Sequence, residues 1–314
     1  MRTSRGSGGE DVPSAAGPRP APGSDPPPPL ESPRTSATGP GDGSVTSEPT
    51  APNVVILCGG MGTRLREETE FRPKPLVEIG GRPILWHIMK TYGHYGFTAF
   101  VLCLGYRGVM IKEYFLNYRY AAHDFTLTLG PQPEVAFHAS SDEKDWKVTF
   151  ADTGPHTNTG GRIKRIARYI TGEHFLVTYG DGVADVDVAA LFRFHLSHGK
   201  LATLTGVHPL SRFGVVDAEG MMVRRFREKP RLDGLVSGGF FVFRRGVFDY
   251  LDDASVLERE PLARLAEDGQ LAVYPHHGFW KSMDTYRDVL ELNQMWEHGE
   301  RPWVVWRPSG QDDR

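Results

Sequence analysis

Three glycines and two polar side chains in one short stretch could bind a row of phosphate groups. Gly59, Gly60 and Gly62 lack Cβ atoms, so successive backbone N–H groups can converge there on a polyanion. Thr63 and Arg64 follow directly and add a hydroxyl group and a planar cationic fork. A plain turn between a strand and a helix would explain the glycines alone. Together with the cation, the stretch predicts a phosphate cradle.

A second cation stands on a stiffened loop near this cradle. Lys74 lies between Pro73 and Pro75, whose fixed φ angles limit the loop and could hold the ammonium group over the same phosphates. Two better-known phosphate motifs do not fit. The third glycine of a dinucleotide fingerprint would fall at Leu65, and no Gly-Lys-Ser/Thr follows as a Walker loop requires.

A single aspartate stands where a buried strand is expected to end. Asp181 follows the apolar residues 175–178 and is flanked by Gly180 and Gly182. Magnesium prefers hard oxygen ligands and space for waters and substrate phosphates, which a carboxylate at the end of a strand can offer. Most isolated aspartates in turns are caps, so Asp181 alone would not predict a metal site.

The segments that must position these residues alternate between strand and helix patterns. Residues 54–57 and 97–105 are apolar and strand-like, whereas residues 84–89 and 109–120 have helical spacing. This alternation of strands and helices predicts an α/β domain with a mostly parallel central sheet and helices on both faces. In such sheets, ligands lie beyond the carboxyl ends of the strands. The cradle comes at such an end.

Residues 124–152 interrupt this alternation. The stretches DFTLTL, EVAFHA and WKVTFAD alternate apolar and polar residues between turn signals, which predicts an inserted β-meander. One face of it could be covered by a second copy of the chain, giving a homo-oligomer. A simple surface meander is the alternative.

A series of motifs, in order along the chain, resembles the sugar-1-phosphate nucleotidyltransferases. Gly-Gly-x-Gly-Thr-Arg followed by Pro-Lys-Pro is similar to the signature of that family, and the wider sequence resembles its glucose-1-phosphate cytidylyltransferase branch. The matching stretches are EETEFRPKPLVEIGGRPILWHIMK, TGGRIKR, TYGDGVADVD, FREKP, GGFFVF and the MDT of FWKSMDTYRD. The resemblance runs from about residue 53 to about residue 303.

This resemblance implies a Rossmann-like nucleotide-diphospho-sugar transferase fold and an activity. The expected reaction transfers a cytidylyl group from CTP to α-D-glucose 1-phosphate with the help of Mg²⁺, giving CDP-glucose and pyrophosphate by in-line attack. Two other functions stay open. One is the same chemistry with another nucleotide or hexose 1-phosphate, and the other is a protein that binds sugar nucleotides without turnover.

The resemblance also implies roles for single residues. Arg64, Lys74 and Asp181 would be catalytic, and Asp181 would hold Mg²⁺ together with Asp284 of the Ser-Met-Asp-Thr stretch. The implied substrate contacts on the cradle side are Leu57, Gly59, Gly60, Gly62, Thr63, Arg64, Lys74 and Gly180.

A glycine pair before a predicted helix forms a further candidate contact. Gly160 and Gly161 would let a flat base approach the backbone, and the start of a helix favours anions. By resemblance, Thr159 and Arg162 would contact the pyrimidine nucleotide. A helix N-cap followed by cations that face solvent is the alternative.

The expected sugar site lies further along the chain. By resemblance, Glu228 would bind sugar hydroxyls and Lys229 the sugar phosphate, because a carboxylate accepts from a diol and a cation offsets a phosphomonoester. An exposed pair before a turn is the alternative. Ser237, before Gly238, departs from the family, in which Asn is common at that position, so the identity of the hexose stays open.

Composition excludes several other classes of function. The chain has 314 residues, of which 39% are hydrophobic and 24% charged, and its formal net charge is −3. It therefore lacks the basic excess expected of a protein that binds nucleic acid or an anionic membrane, and no apolar stretch has membrane-spanning length. Cys58 and Cys103 lie in apolar runs, which fits buried thiols in a reducing cytoplasm.

The two ends of the chain differ from the part between them. Residues 1–52 hold 12 of the 24 prolines and no aromatic residue, so this Pro/Gly/Ser-rich extension is predicted to be disordered. Residues 53–306 are predicted to form the nucleotidyltransferase domain, and residues 307–314 a short polar tail.

Overall fold

The computed structural model describes residues 51–138, 143, 145–211 and 213–306. The predicted N-terminal extension, apart from its last two positions, and the predicted tail at 307–314 lie outside these residues. The strands are β1 (Val54–Cys58), β2 (Glu78–Ile79), β3 (Arg82–Pro83), β4 (Ala99–Leu104), β5 (Phe125–Thr128), β6 (Glu134–Phe137), β7 (Lys147–Asp152), β8 (His174–Tyr179), β9 (Gly182–Ala184), β10 (Ala202–Val207), β11 (Val215–Glu219), β12 (Met222–Arg227), β13 (Val236–Arg244), β14 (Leu271–His276) and β15 (Trp280–Ser282). The helices are α1 (Arg66–Thr69), α2 (Ile84–His94), α3 (Gly108–Leu116), α4 (Tyr118–Ala122), α5 (Thr159–Arg165), α6 (Val188–His198), α7 (Glu260–Glu267) and α8 (Tyr286–Glu297).

A seven-stranded sheet forms the centre of the fold, in the order β14-β10-β13-β8-β1-β4-β7. Strand β13 runs antiparallel to both of its neighbours, and the other pairings in this sheet are parallel. Strand β1 lies between β8 and β4, and all five of its residues are buried. The mostly parallel α/β sheet predicted from the sequence is therefore confirmed.

Two hydrophobic cores, one on each face of the sheet, follow from the alternation of side chains along β1. Val54, Ile56 and Cys58 belong to one core, which contains buried residues of α2 and α8. Val55 and Leu57 belong to the other, which contains buried residues of α5 and α7. Successive side chains of a strand point to opposite faces, so a strand that is apolar throughout needs cover on both sides.

A small two-stranded sheet brings distant parts of the chain to the end of β8. Strand β9 pairs antiparallel with β15, with Gly182 opposite Ser282. In addition, the backbone N–H of Met283 donates to the carbonyl oxygen of Asp181 at 2.8 Å. Asp181 and Asp284 therefore lie near each other although they are far apart in the sequence.

The prediction of an inserted three-stranded meander is wrong for the third strand, which does not pair with the other two. Strands β5 and β6 form a separate antiparallel hairpin, whereas β7 pairs in parallel with β4 at the edge of the central sheet. Most residues of the hairpin are exposed, while Val148 and Phe150 of β7 pack against the core. Alternating polarity indicates a strand with one covered face, but it does not tell which strand is its neighbour.

Both cysteines are buried and free, as the sequence predicted. Burial is the largest cause that raises the pKa of Cys103 to about 12, so this thiol stays protonated at neutral pH. A lipid bilayer could not be spanned by any helix that the structure describes.

Candidate active site

An open cavity of about 410 Å³ lies where β1 and β8 end. Its size is in the range of small-molecule sites. Its walls include eleven of the residues predicted from the sequence to bind substrate or metal: Leu57, Gly59, Gly60, Gly62, Thr63, Arg64, Lys74, Thr159, Arg162, Gly180 and Asp181.

The glycine loop is held in shape by the helix that follows it. Gly62 has a φ angle of +62°, which side chains other than glycine rarely adopt. The hydroxyl of Thr69 donates to the carbonyl oxygen of Gly62 at 3.0 Å, and a Cβ atom at Gly62 would lie 2.6 Å from Cγ2 of Thr69. Glycine at this position therefore satisfies both the backbone angle and the packing.

Lys74 is the centre of a charged cluster beside the loop. Its side chain is nearly buried, and its Nζ atom lies 2.7 Å from Oδ2 of Asp181 and 2.9 Å from Oδ1 of Asp284. Nη2 of Arg64 lies 2.9 Å from the same oxygen of Asp284. A short turn at Lys74–Leu76, begun by Pro73, fixes the backbone from which Lys74 extends.

The cations of this cluster keep one of its carboxyl groups ionised. Partial burial acts to raise the pKa of Asp284, but the hydrogen bond and charge of Lys74 and the charge of Arg64 outweigh it, and the pKa is lowered. Asp284 is therefore a carboxylate at neutral pH, with the charge that a divalent cation requires.

The donor set of the cluster fits magnesium. Asp181 and Asp284 both bind one ammonium group, so the fold brings the two carboxylates together. Within the described ranges, no group of three or more His, Cys, Asp or Glu side chains could hold a metal. Two carboxylates with room for other oxygens suit Mg²⁺, which is usually completed by waters and substrate phosphates.

A second carboxylate, that of Glu258, also lines the cavity. Glu258 accepts a hydrogen bond from the Tyr179 hydroxyl at 2.5 Å and another from the Thr159 hydroxyl at 2.6 Å. Burial, followed by the charge of Glu258, raises the pKa of Tyr179, so the phenol keeps its proton. Thr159 is the first residue of α5, and Glu258 precedes α7.

Arg162 supports the loop rather than presenting free donors to a nucleotide. Its side chain is nearly buried, and its Nη2 atom donates to the carbonyl oxygen of Gly59 at 2.9 Å. Its Nη1 atom donates to the carbonyl oxygen of Leu104 at 3.0 Å and to the hydroxyl of Thr153 at 2.7 Å. These partners already occupy donors that the expected contact with the base would use.

The glycine pair of α5 is required by the packing of this helix. A Cβ atom at Gly160 would lie 2.8 Å from the carbonyl oxygen of Ser255, and one at Gly161 only 2.3 Å from that of Asp253. The backbone N–H of Gly161 also donates to the carbonyl oxygen of Ser255 at 3.0 Å. The glycines therefore allow α5 to approach the segment before α7.

The expected sugar contacts do not line this cavity. Glu228 and Lys229 follow β12 on an exposed hairpin, with 3.9 Å between Nζ of Lys229 and Oε1 of Glu228, and this is the geometry of the exposed-pair alternative. Ser237 is exposed near the start of β13. The carbonyl oxygen of Gly238 accepts a hydrogen bond from Nε1 of Trp280 at 2.7 Å.

Sequence reasoning gave no role to Tyr179, although this residue lines the cavity. Its position directly before Gly180 and Asp181, at the end of β8, could have indicated that it lines the cavity. Glu258 lies in the stretch Leu-Glu-Arg-Glu-Pro, in which Leu257 stands where the family usually has Trp, and by resemblance Glu258 would face the sugar.

Comparisons with known proteins agree with this geometry. The sequence profile described as "Nucleotidyl transferase" matches residues 53–298. Glucose-1-phosphate cytidylyltransferase from Salmonella typhi is 50% identical over 255 residues, which are 80% of this chain and 98% of that protein. A probable glucose-1-phosphate cytidylyltransferase from Bacillus subtilis is 49% identical over 254 residues, which are 80% of this chain and 99% of that protein.

Solved structures show the same fold at low sequence identity. HddC from Yersinia pseudotuberculosis has a TM-score of 0.58 and 23% identity, with 78% of this chain and 99% of that chain covered. Apo UDP-glucose pyrophosphorylase also has a TM-score of 0.58, at 13% identity, with 80% of this chain and 99% of that chain covered. The fold likeness, the profile match and the half-identical relatives lead to one conclusion, which is that this chain belongs to the nucleotidyl transferase family.

Proposed function

We propose that this chain transfers a cytidylyl group from CTP to α-D-glucose 1-phosphate. An oxygen of the sugar phosphate attacks the α-phosphorus of CTP, the bond from that phosphorus to the oxygen bridging to the β-phosphate breaks, and pyrophosphate leaves. The main structural support is the convergence of Arg64, Lys74, Asp181 and Asp284 beside a glycine loop. The choice of CTP and glucose 1-phosphate is supported by the names of the half-identical relatives.

The chemistry requires positioning and charge compensation more than covalent catalysis. Two anions must approach each other, and negative charge builds up on the departing pyrophosphate. The backbone N–H groups of the glycine loop, together with Arg64 and Lys74, can offset that charge. No activated serine or cysteine nucleophile is needed, and the two thiols in the described part of the chain are buried.

Asp181 and Asp284 would hold the magnesium ion. Bound there, Mg²⁺ would neutralise charge at the α-phosphate and orient the reacting oxygens. Lys74 binds both carboxylates, so its ammonium group lies beside the residues that would hold the metal.

A substrate panel tests this function. The chain would be incubated with magnesium, each of CTP, UTP, TTP, ATP and GTP, and a set of hexose 1-phosphates, and product masses and pyrophosphate would be measured. We expect CDP-glucose from CTP and glucose 1-phosphate in preference to other pairs. Preference for another nucleotide or hexose would replace the substrate assignment, and no pyrophosphate from any pair would support a binding protein.

We also infer a homo-oligomer that works in a reducing compartment such as the cytoplasm. Leu127 and Val135 of the β5–β6 hairpin are exposed apolar side chains, which favours contact with a second copy. Free buried thiols at Cys58 and Cys103 suit a reducing compartment. Light scattering of the wild type and of Leu127→Lys tests the oligomer, with Leu196→Lys on α6 as the control.

A further inference from the structure

We propose that Glu258 selects cytosine by accepting a hydrogen bond from its exocyclic amino group. This inference rests on the proposed use of CTP and adds to it the residue that reads the base. By resemblance Glu258 would face the sugar, whereas this proposal depends on the hydrogen bonds made around its carboxylate.

Two hydroxyl groups fix the orientation of this carboxylate. Tyr179 donates to Oε1 and Thr159 donates to Oε2. The backbone N–H of Leu257 donates to Oγ1 of Thr159 at 2.9 Å, so the proton of this hydroxyl is directed towards Glu258. A side chain held at both oxygens loses little conformational freedom on binding a ligand, as a selective contact requires.

The carboxylate keeps acceptor capacity beyond these two hydrogen bonds. An ionised carboxylate has about four lone-pair positions, and the two hydroxyl groups use about half of them. Among the residues that the structure describes, no lysine or arginine forms an ion pair with Glu258. The remaining positions therefore favour a ligand group that donates hydrogen bonds, and they repel a phosphate.

The position of Glu258 in the cavity indicates which part of the ligand it meets. The glycine loop, Arg64 and Lys74 form the cationic wall, whereas Val256, Glu258 and Thr159 belong to the wall built by α5 and the segment before α7. Because the triphosphate needs the cationic wall, the nucleoside is left with the other. Val256 provides an apolar surface there for a flat ring.

Among the pyrimidines, cytosine has the hydrogen-bonding group that complements the carboxylate of Glu258. Its amino group donates hydrogen bonds, and carboxylates accept from that group in other recognition sites. Uracil and thymine present a carbonyl oxygen at the same ring position, which a carboxylate repels. A contact of this kind discriminates between bases, and selection by about 10- to 100-fold is expected.

The experiment compares three nucleotides that differ at this ring position. They are CTP, UTP and the triphosphate of the 2-pyrimidinone riboside, in which hydrogen replaces the amino group. For the wild type we expect kcat/KM for CTP to exceed that for the pyrimidinone nucleotide by about tenfold or more. In Glu258→Gln this ratio should fall close to one, with KM for glucose 1-phosphate unchanged.

A neighbouring glutamate provides the matched control. Glu260 belongs to the same stretch but pairs with Arg264 on the exposed face of α7, 3.0 Å away. In Glu260→Gln the CTP preference should remain at the wild-type value. The wild-type comparison tests the proposal even if Glu258→Gln does not fold.

Several results would overturn the proposal. One is a wild type that uses CTP and the pyrimidinone nucleotide equally well. Another is an equal loss of kcat/KM for all three nucleotides in Glu258→Gln, which would make the residue merely structural. A third is a raised KM for glucose 1-phosphate in this variant while the nucleotide ratio stays unchanged. A wild type that turns over another nucleotide but not CTP would instead refute the proposed function.

Discussion

The ammonium group of Lys74 lies 2.7 Å from the carboxylate of Asp181, although 107 positions separate the two residues in the chain. The contact exists because β1 and β8 are neighbours in the sheet and both end at the same edge. It joins the loop that we propose binds phosphates to the carboxylates that we propose bind the metal. Each charge in the cluster is therefore set partly by its neighbours, and removing one affects the others.

Asp181→Asn should abolish magnesium-dependent activity while the fold survives. The change removes one of two proposed metal ligands, and a loss of about a hundredfold or more in kcat is expected. The Asp181 side chain is partly exposed, and the contact of its backbone oxygen with Met283 is kept. Pyrophosphate release at several magnesium concentrations measures the effect.

The control for this change is Asp217→Asn on the β11–β12 hairpin. Asp217 pairs with Arg227 at 3.5 Å and does not line the cavity, so its substitution should leave the rate unchanged. Thermal unfolding of both variants separates catalysis from stability. If Asp181→Asn is fully folded and active, the aspartate is no metal ligand, and if it is unfolded, its role is structural.

Arg64→Ala should reduce kcat/KM by about 10- to 100-fold. A charge-assisted hydrogen bond contributes roughly 1.5 to 3 kcal/mol, which corresponds to that range. Because 68% of the Arg64 side chain is exposed, the melting temperature should change little. Steady-state kinetics with varied CTP measures the loss, and unchanged turnover would remove Arg64 from the site.

The sequence predicted local features of the site better than contacts between distant segments. The order of strand, glycines and Arg64 depends on neighbouring residues, so a glycine loop at the end of β1 could be predicted from residue types alone. The Gly160–Gly161 pair looked similar, but its glycines are needed because the segment around Asp253 and Ser255 packs against them. That contact is made by residues about ninety positions away, which no local pattern describes.

The central sheet shows the same difference between local pattern and distant pairing. The apolar residues of β1 and β4 predicted buried parallel strands correctly. The residues of β7 also look like a strand, but its pairing with β4 instead of β6 depends on which edge of the sheet is available. Residue types therefore predicted the class of fold, while one strand pairing required the structure.

Arg162→Met should lower the free energy of unfolding by about 2 to 4 kcal/mol and also reduce activity. The substitution leaves the buried carbonyl oxygens of Gly59 and Leu104 without their guanidinium donor. Because Gly59 belongs to the glycine loop that we propose binds the triphosphate, a shift there should also disturb nucleotide binding. Chemical denaturation and KM for CTP are the two measurements.

The control for Arg162 is Arg168→Met, which removes an exposed arginine that lies over the ring of Tyr169. This change should alter the free energy of unfolding by less than about 1 kcal/mol. If Arg162→Met were equally stable and kept its KM for CTP, the hydrogen bonds to the loop would have no part in holding it.

A histidine in the last turn of α6 should make the protein less stable in acid. His195 is fully buried, with Nε2 3.1 Å from Nδ1 of His174 and Nδ1 2.8 Å from the hydroxyl of Thr203. Burial first, and then the neighbouring histidines His174 and His198, lower its pKa to about 4. An unfolded histidine titrates near pH 6.5, so acid favours the unfolded state, which binds the proton more readily.

The stability that neutral His195 contributes is complete above about pH 6.5 and is lost as the pH falls towards 4. At pH 5.0 the loss should be about 2 kcal/mol, seen in the free energy of unfolding from urea titrations at pH 7.5 and 5.0. In His195→Gln, which keeps hydrogen-bonding groups but has no titrating ring, the difference between the two pH values should shrink by about that amount. An equal difference in both proteins would show that His195 is not the group that titrates, because the remaining acid sensitivity would then come from side chains common to both.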